Sequence, residues 1–179
     1  MMPMVVIPPL KTERLTLRAF TEEDAPFVYK WCSSLKCAQY LFWYPHRSLE
    51  VTQKIVHKWV RKRRNYSWAI VLNDEPIGEV EIIKDLPDHG FEIGYILRDD
   101  MWGHGYMKEA LSSVLSYMFS VGYLSCYAET DERNAASRGL LEKLGFAYEG
   151  LEENHLIEKK NEKVNLAKYR LAKEAFTCR

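Results

Sequence analysis

A mixed α/β (α+β) domain on one mostly antiparallel sheet is the fold class this sequence predicts. Three observations predict it. Runs 68–72, 77–84 and 90–97 are strand-like and succeed one another across short turn-rich links, which is an antiparallel meander. Helix-spaced apolar stripes precede and succeed that meander. The third run then passes through Gly103 and Gly105 straight into a helical pattern over 108–121. Two glycines at such a junction let the backbone bend tightly. They also leave the first helical N–H groups free to hold an anion such as a pyrophosphate.

The first element is a strand, because residues 14–18 alternate. Thr21 with Glu22, Glu23 and Asp24 opens a helix, an N-cap with acids in the first turn behind it. That helix carries Phe27, Val28 and Trp31 and fades at Ser33 and Ser34. An aromatic loop comes next, over 41–46. Ser48 caps the next helix, with Val51, Ile55 and Trp59 at four-residue steps. After the meander, Ala110, Leu111, Val114, Leu115 and Met118 form one stripe, and Gly122 ends that helix. Residues 124–130 read as a strand. Asn134 caps a helix bearing Leu140, Leu141 and Leu144, closed by Gly145. Runs 146–151 and 164–171 are the last strands. The order is β-α-α-β-β-β-α-β-α-β-β, seven strands and four helices. One domain over 10–173 is expected, with 1–9 and 174–179 as terminal extensions.

Composition narrows the function classes. Hydrophobic content of 47% and charged content of 28% fit a globular domain. The net charge is zero, which argues against nucleic acid as the main ligand. The basic run over 58–64 reads as a solvated helix C-terminus favoured by the dipole. Residues 1–9 lack the pattern of a signal peptide, and no apolar run reaches membrane length. Cys32, Cys37, Cys126 and Cys178 form no CxxC pair and fit no common zinc spacing. A reducing, cytoplasmic setting with free thiols and no metal is expected. Neither a P-loop nor a Rossmann fingerprint is present.

The ordered set of motifs resembles the GNAT superfamily of acetyl-CoA-dependent N-acetyltransferases, and within it the RimJ/RimL branch that acetylates N-terminal amines of ribosomal proteins. It is carried by residues 12–18, by Glu92, Ile93, Gly94 and Tyr95, by Trp102, Gly103, His104, Gly105, Tyr106 and Met107, by Asn134 to Ser137, and by residues 142–146. Met107 stands where a smaller residue is usual. The resemblance implies a seven-stranded sheet splayed between its fourth and fifth strands, with acetyl-CoA as co-substrate, no metal, and a homodimer among the possible assemblies.

It further implies direct attack of an amine on the thioester in a ternary complex. The diphosphate is expected on the turn Trp102, Gly103, His104, Gly105, Tyr106, Met107 and Lys108. The cofactor arm is expected to pair, as a strand would, with backbone groups of Ile96, Leu97 and Arg98, one amide of that strand serving the oxyanion. Asn134 is a helix N-cap and by resemblance also touches the arm or the substrate. Ser137 is by resemblance a proton donor to the leaving thiolate, or else an ordinary first-turn serine. Tyr127, Tyr148 and Tyr169 are alternative acids. Glu92 is by resemblance the general base, or else a solvent-side strand carboxylate, with His46 as another candidate. Trp31, Phe42, Trp43 and Tyr44 either wall the acceptor site or pack the helices onto the sheet. The acceptor is a peptide N-terminus or a small amine. The absence of any carboxylate over 40–48 favours the peptide. A non-catalytic acyl-CoA-binding module and a longer acyl donor remain as alternatives.

Overall fold

The computed structural model describes residues 7–62 and 67–176. Its sheet begins with β1 (Leu10–Lys11) and β2 (Thr16–Arg18). Asp24, 3% exposed, chelates the Arg18 guanidinium and accepts from the Thr21 N–H (2.8 Å), so it caps the first helical segment. Next come α1 (Ala25–Cys32), α2 (Leu35–Ala38) and α3 (Leu49–Arg61). The meander is β3 (Ser67–Leu72), β4 (Glu75–Leu86) and β5 (Gly90–Leu97). Asn73 and Asp74, then Asp88 and His89, all at positive φ, make its two turns. After it stand α4 (Tyr106–Ser120), β6 (Ser125–Asp131), α5 (Ala135–Lys143), β7 (Ala147–Ile157) and β8 (Glu162–Ala172).

Eight strands form one sheet in the order β1-β2-β3-β4-β5-β6-β8-β7. Only β5 and β6 are parallel; every other pair is antiparallel. One strand and one helix exceed the expected count. β1 has two residues and α2 four, too short for a hydrophobic period to register. Ser34 marks the start of α2, its Oγ accepting from the Cys37 N–H (3.2 Å). The final hairpin is longer than expected because Asn154 (φ 56°) and a register shift between Glu152 and His155 break the alternation without ending the strand.

Each sheet face carries its own core. Against one face, Met107, Ala110, Leu111, Val114, Leu115 and Met118 of α4 and Leu141 of α5 pack on Leu17, Ile70, Val80, Phe91, Ile93 and Cys126. Against the other, Val28, Trp31 and Cys32 of α1 and Val56 of α3 pack on Ala69 and Val71, with Ile96 alongside. The buried side of α3 runs through Thr52 and Val56, and Val51 is exposed; the expected stripe is rotated by one residue. No helix among the described residues is long and apolar enough to cross a membrane. Cys178 and the Arg63–Arg64 end of the basic run lie outside the described residues.

Candidate active site

Gly103 (φ 82°) and Gly105 (φ 78°) carry the left-handed conformations that turn β5 into α4. The Glu109 N–H makes the first helical bond, to Gly105 C=O (3.1 Å). The N–H groups of Tyr106, Met107 and Lys108 precede it and, with those of Gly103 and Gly105, find no acceptor among the described residues. Met107 is buried in the core, so its bulk points away from this nest. Lys108 is exposed in the first turn, where a cation opposes the helix dipole unless an anion is held there. Trp102 Nε1–H donates to Leu97 C=O (2.8 Å), which ties the turn back to the end of β5.

Arg14 completes the turn from the far end of the chain. Its Nη1–H donates to His104 C=O (2.9 Å), and its Nε–H donates to Glu109 (2.8 Å). Its guanidinium lies 4.5 Å from the centre of the Tyr106 ring. Thr12 Oγ1–H and the Arg14 backbone N–H also donate to Glu109. The segment before β2 is thereby fastened to the first turn of α4, with the Arg14–Glu109 ion pair beside the nest of amides. In the sequence Arg14 belongs to the 12–18 segment that carries the family resemblance, but it reads there as the start of a strand, and its contact with the turn depends on the distant Glu109 and His104.

β5 and β6 pair only at Gly90 with Ser125, Phe91 with Cys126 and Glu92 with Tyr127, and beyond Glu92 they part. The outer ladders decide which backbone groups the gap leaves open, since these groups alternate sides along a strand. The Arg98 N–H donates to Ile77 C=O (2.8 Å), so even-numbered positions on the parted half of β5 face β4. Tyr95 and Leu97 therefore face the gap. On β6, the Glu132 N–H donates to Asn165 C=O (2.9 Å) and the Lys173 N–H to Leu124 C=O (2.9 Å). Even-numbered positions there face β8, and Glu129 faces the gap. The expectation for Ile96 and Arg98 is corrected on this register: their backbone groups are turned to β4, while those of Tyr95 and Leu97 are turned to the gap. The Arg98 side chain is instead buried between Glu75 and Asp100.

Asn134 caps α5, its Oδ1 accepting from the Ser137 N–H (3.2 Å). Ser137 Oγ meets the Tyr95 hydroxyl at 2.7 Å, a bond that joins β5 to α5 beside the gap. Burial pushes the Tyr95 phenol up to about 12. Tyr95 alternates with Phe91 and Ile93 and so reads as core in the sequence. Of the tyrosines expected to compete as acids, Tyr169 is buried and bonded to Arg138 (2.9 Å), Tyr127 accepts from Arg170 (3.0 Å), and Tyr148 is exposed against Tyr169.

Glu92 occupies the last paired position, where the strands begin to part. Its half-sheltered carboxylate is ion-paired with Lys84 (3.0 Å). Beyond it on β6, β8 and β7, Glu129 and Glu152 share Lys168 (3.0 and 2.8 Å), and Glu152 also holds His155 (2.7 Å). Bonds from Lys168 and then His155 hold the Glu152 carboxyl down at about 2. The resulting stability is fully present above the ordinary glutamate value of 4.5 and is lost as pH falls through about 2. A carboxyl-carbon NMR titration is expected to find the Glu152 midpoint near 2, and Lys168→Met is expected to raise it.

The four aromatic candidates separate. Trp31 is fully buried in the α1–α3 core, which corrects its assignment to an acceptor wall. The sequence hides its packing position because it shares its aromatic character with the loop after α2. Trp43 packs on the edge of the same core and beside His46. Phe42 and Tyr44 are exposed, near His155 and Lys160 respectively. Lys160 Nζ also donates to Ala38 C=O (2.9 Å), so the aromatic loop leans on the β7–β8 hairpin. His46 serves the loop: its N–H donates to Cys32 C=O (2.8 Å) and its Nδ1 meets Thr52 Oγ1 (2.8 Å). Among the described residues no group of three or more His, Cys, Asp or Glu side chains is arranged to hold a metal ion.

Known proteins share this fold. The acetyltransferase (GNAT) domain family matches residues 14–147. The uncharacterized N-acetyltransferase YoaA of Bacillus subtilis is 29% identical over 160 residues, 86% of this chain and 90% of its own length. A GNAT-family acetyltransferase from Bacillus anthracis superposes with a TM-score of 0.83 at 24% identity, covering 93% of this chain and 99% of that one. A RimL ribosomal L7/L12 alpha-N-protein acetyltransferase in complex with coenzyme A superposes with a TM-score of 0.80 at 22% identity, covering 94% and 99%.

Proposed function

The chain belongs to the GNAT acetyltransferase domain family, and from that premise we propose that it moves the acetyl group of acetyl-CoA to the terminal amine of a peptide or protein. The observation that carries this reading is the pairing of unclaimed amides at Gly103 to Lys108 with a gap between parallel strands that exposes Tyr95 and Glu129 backbone groups and the Leu97 N–H, the Leu97 carbonyl being held by Trp102. The amides and Arg14 hold the diphosphate. The arm adds to the gap as a strand would, drawing on Leu97 and Tyr95. The Asn134 side-chain amide donates to the arm.

The amine attacks the thioester carbonyl carbon, and the gap-facing N–H of Tyr95 or Leu97 stabilises the developing oxyanion. Ser137 donates to the leaving sulfur. Glu92, at the foot of the gap on the face away from α4, receives the proton that the amine loses. Phe42 and Tyr44 flank the acceptor. The carboxylates on this face favour a peptide over a polycation, because Glu92, Glu129 and Glu152 each already hold a lysine or histidine. With His155 neutral, three carboxylates against Lys84 and Lys168 leave an excess of one negative charge, too little for the strongly acidic pocket that a polyamine or an aminoglycoside calls for. The solved RimL relatives act on a ribosomal protein N-terminus, which points the same way.

The test is thiol release from acetyl-CoA with a panel of peptides bearing free or blocked N-termini, lysine-containing peptides, polyamines and aminoglycosides. Release that requires a free N-terminus supports the reading. Acetyl-CoA binding without release by any acceptor would instead make the protein a binding module. Glu92→Gln is expected to lower kcat about 100-fold, within the usual span for an acid–base group. Affinity for acetyl-CoA, measured by calorimetry, is expected to stay unchanged. An unchanged kcat clears Glu92 of the base role.

A further inference from the structure

We propose that Tyr95 is a positioning residue that turns the Ser137 hydroxyl proton toward the sulfur of acetyl-CoA; this rests on the proposed function, in which Ser137 donates to that sulfur. The structure supplies three independent supports. The first is the Tyr95 Oη to Ser137 Oγ bond of 2.7 Å, between a gap-facing strand residue and the first turn of α5. The second is its direction. A phenol is a more acidic O–H than an alcohol and the better donor of the two, and burial keeps it neutral well above physiological pH. The 2.7 Å contact admits either hydroxyl as donor, and on this ordering of acidity Tyr95 donates, Ser137 Oγ accepts, and the serine proton is left to point elsewhere.

The third support is that Ser137 is held from two sides. Its hydroxyl makes no bond back to a carbonyl three or four residues earlier among the described residues, unlike that of Ser112, which donates to Lys108 C=O (2.7 Å). The Asn134 cap fixes its backbone while Tyr95 holds its oxygen. Both the residue and its hydroxyl are thus set before the cofactor arrives.

The chemistry balances without ionising either residue. The amine nitrogen bonds to the carbonyl carbon, and the C–S bond breaks with its electron pair on sulfur. The Ser137 O–H makes a hydrogen bond to that thiolate. The proton lost from the new ammonium group and the proton later gained by the thiolate pass through Glu92 and solvent. Tyr95 remains a phenol and Ser137 an alcohol throughout.

The experiment measures the thiol titration of bound CoA by its ultraviolet thiolate absorbance, in the wild type, Tyr95→Phe, Ser137→Ala and the double variant. Calorimetry verifies that each binds CoA, and melting that each is folded. In the wild type the bound thiol is expected to titrate about one pH unit below free CoA, the tenfold effect of one charge-assisted hydrogen bond. Ser137→Ala abolishes that shift, Tyr95→Phe removes most of it, and Tyr95→Phe adds nothing in the Ser137→Ala background. With an active acceptor, Tyr95→Phe lowers kcat about tenfold and leaves the acetyl-CoA KM within about twofold. A bound thiol that titrates alike in wild type and Tyr95→Phe overturns the proposal. So does a Tyr95→Phe effect that persists without Ser137, which makes Tyr95 a direct donor. Failure of the wild type to bind CoA is a separate result: it overturns the proposed function, and this inference with it.

Discussion

Gly105→Asp is expected to lower acetyl-CoA affinity at least about 100-fold while the protein stays folded. Gly105 sits at φ 78° as the N-cap of α4. Aspartate is among the few residues that tolerate that conformation, and it is a favoured N-cap. A Cβ at this position lies 3.5 Å from Arg14 Nη2, so the new carboxylate finds a guanidinium at once. It then occupies the place proposed for the diphosphate and turns the amide nest onto itself. Losing that anion site is a matter of several kcal/mol, and about 1.4 kcal/mol is a factor of ten. Gly105→Ala separates charge from shape. Its methyl meets only the end of Arg14 at ordinary contact distance, and the left-handed strain costs about 1 kcal/mol. Alanine is therefore expected to melt slightly earlier and to bind within about tenfold of the wild type. Calorimetry and thermal melting read both; an aspartate variant that binds normally removes the diphosphate from this turn.

Gly78→Val is expected to be the most damaging single substitution in the strands around the gap. A Cβ on Gly78 lies 2.4 Å from Ile96 C=O and 3.1 Å from Leu97 Cα. Both obstacles are backbone, so no rotamer change relieves them. β4 must move away from β5, which spoils the ladder that turns Tyr95 and Leu97 toward the gap. Overpacking of this kind costs about 3 kcal/mol, and in a chain of this size that is a fall of roughly 6–12 °C in melting temperature. Acetyl-CoA affinity is expected to fall along with stability. A Gly78→Val protein that melts with the wild type contradicts the close approach of the two strands.

The order of elements is legible in the sequence because turn chemistry is local. Asn73 and Asp74, Asp88 and His89, and Gly103 and Gly105 stand where the backbone needs positive φ. The stripe from Ala110 to Met118 is buried as its spacing implies. Elements governed by long-range contact are not legible. β1 exists because Leu10 and Lys11 pair with Leu17 and Thr16, and α2 is held by one serine cap. The candidate site divides in the same way. The amide nest is written in two glycines, and the Asn134 cap in one asparagine. Arg14 joins the nest only through Glu109 and His104, and Tyr95 meets Ser137 only once β5 and α5 are brought together. The choice of Leu97 over Ile96 and Arg98 is a question of ladder register, which one bond from Arg98 to Ile77 decides. The sequence leaves Trp31 between helix packing and an acceptor wall, because burial, not residue type, separates a core indole from a wall of the cleft, and the structure decides for packing.

The most direct measurement is an amide NMR map of the protein titrated with acetyl-CoA. The largest shifts are expected at the N–H groups of Gly103, Gly105, Tyr106, Met107 and Lys108, with a second set at Tyr95, Leu97 and Glu129. Shifts gathered on any other surface, with these amides unmoved at saturation, would contradict the account.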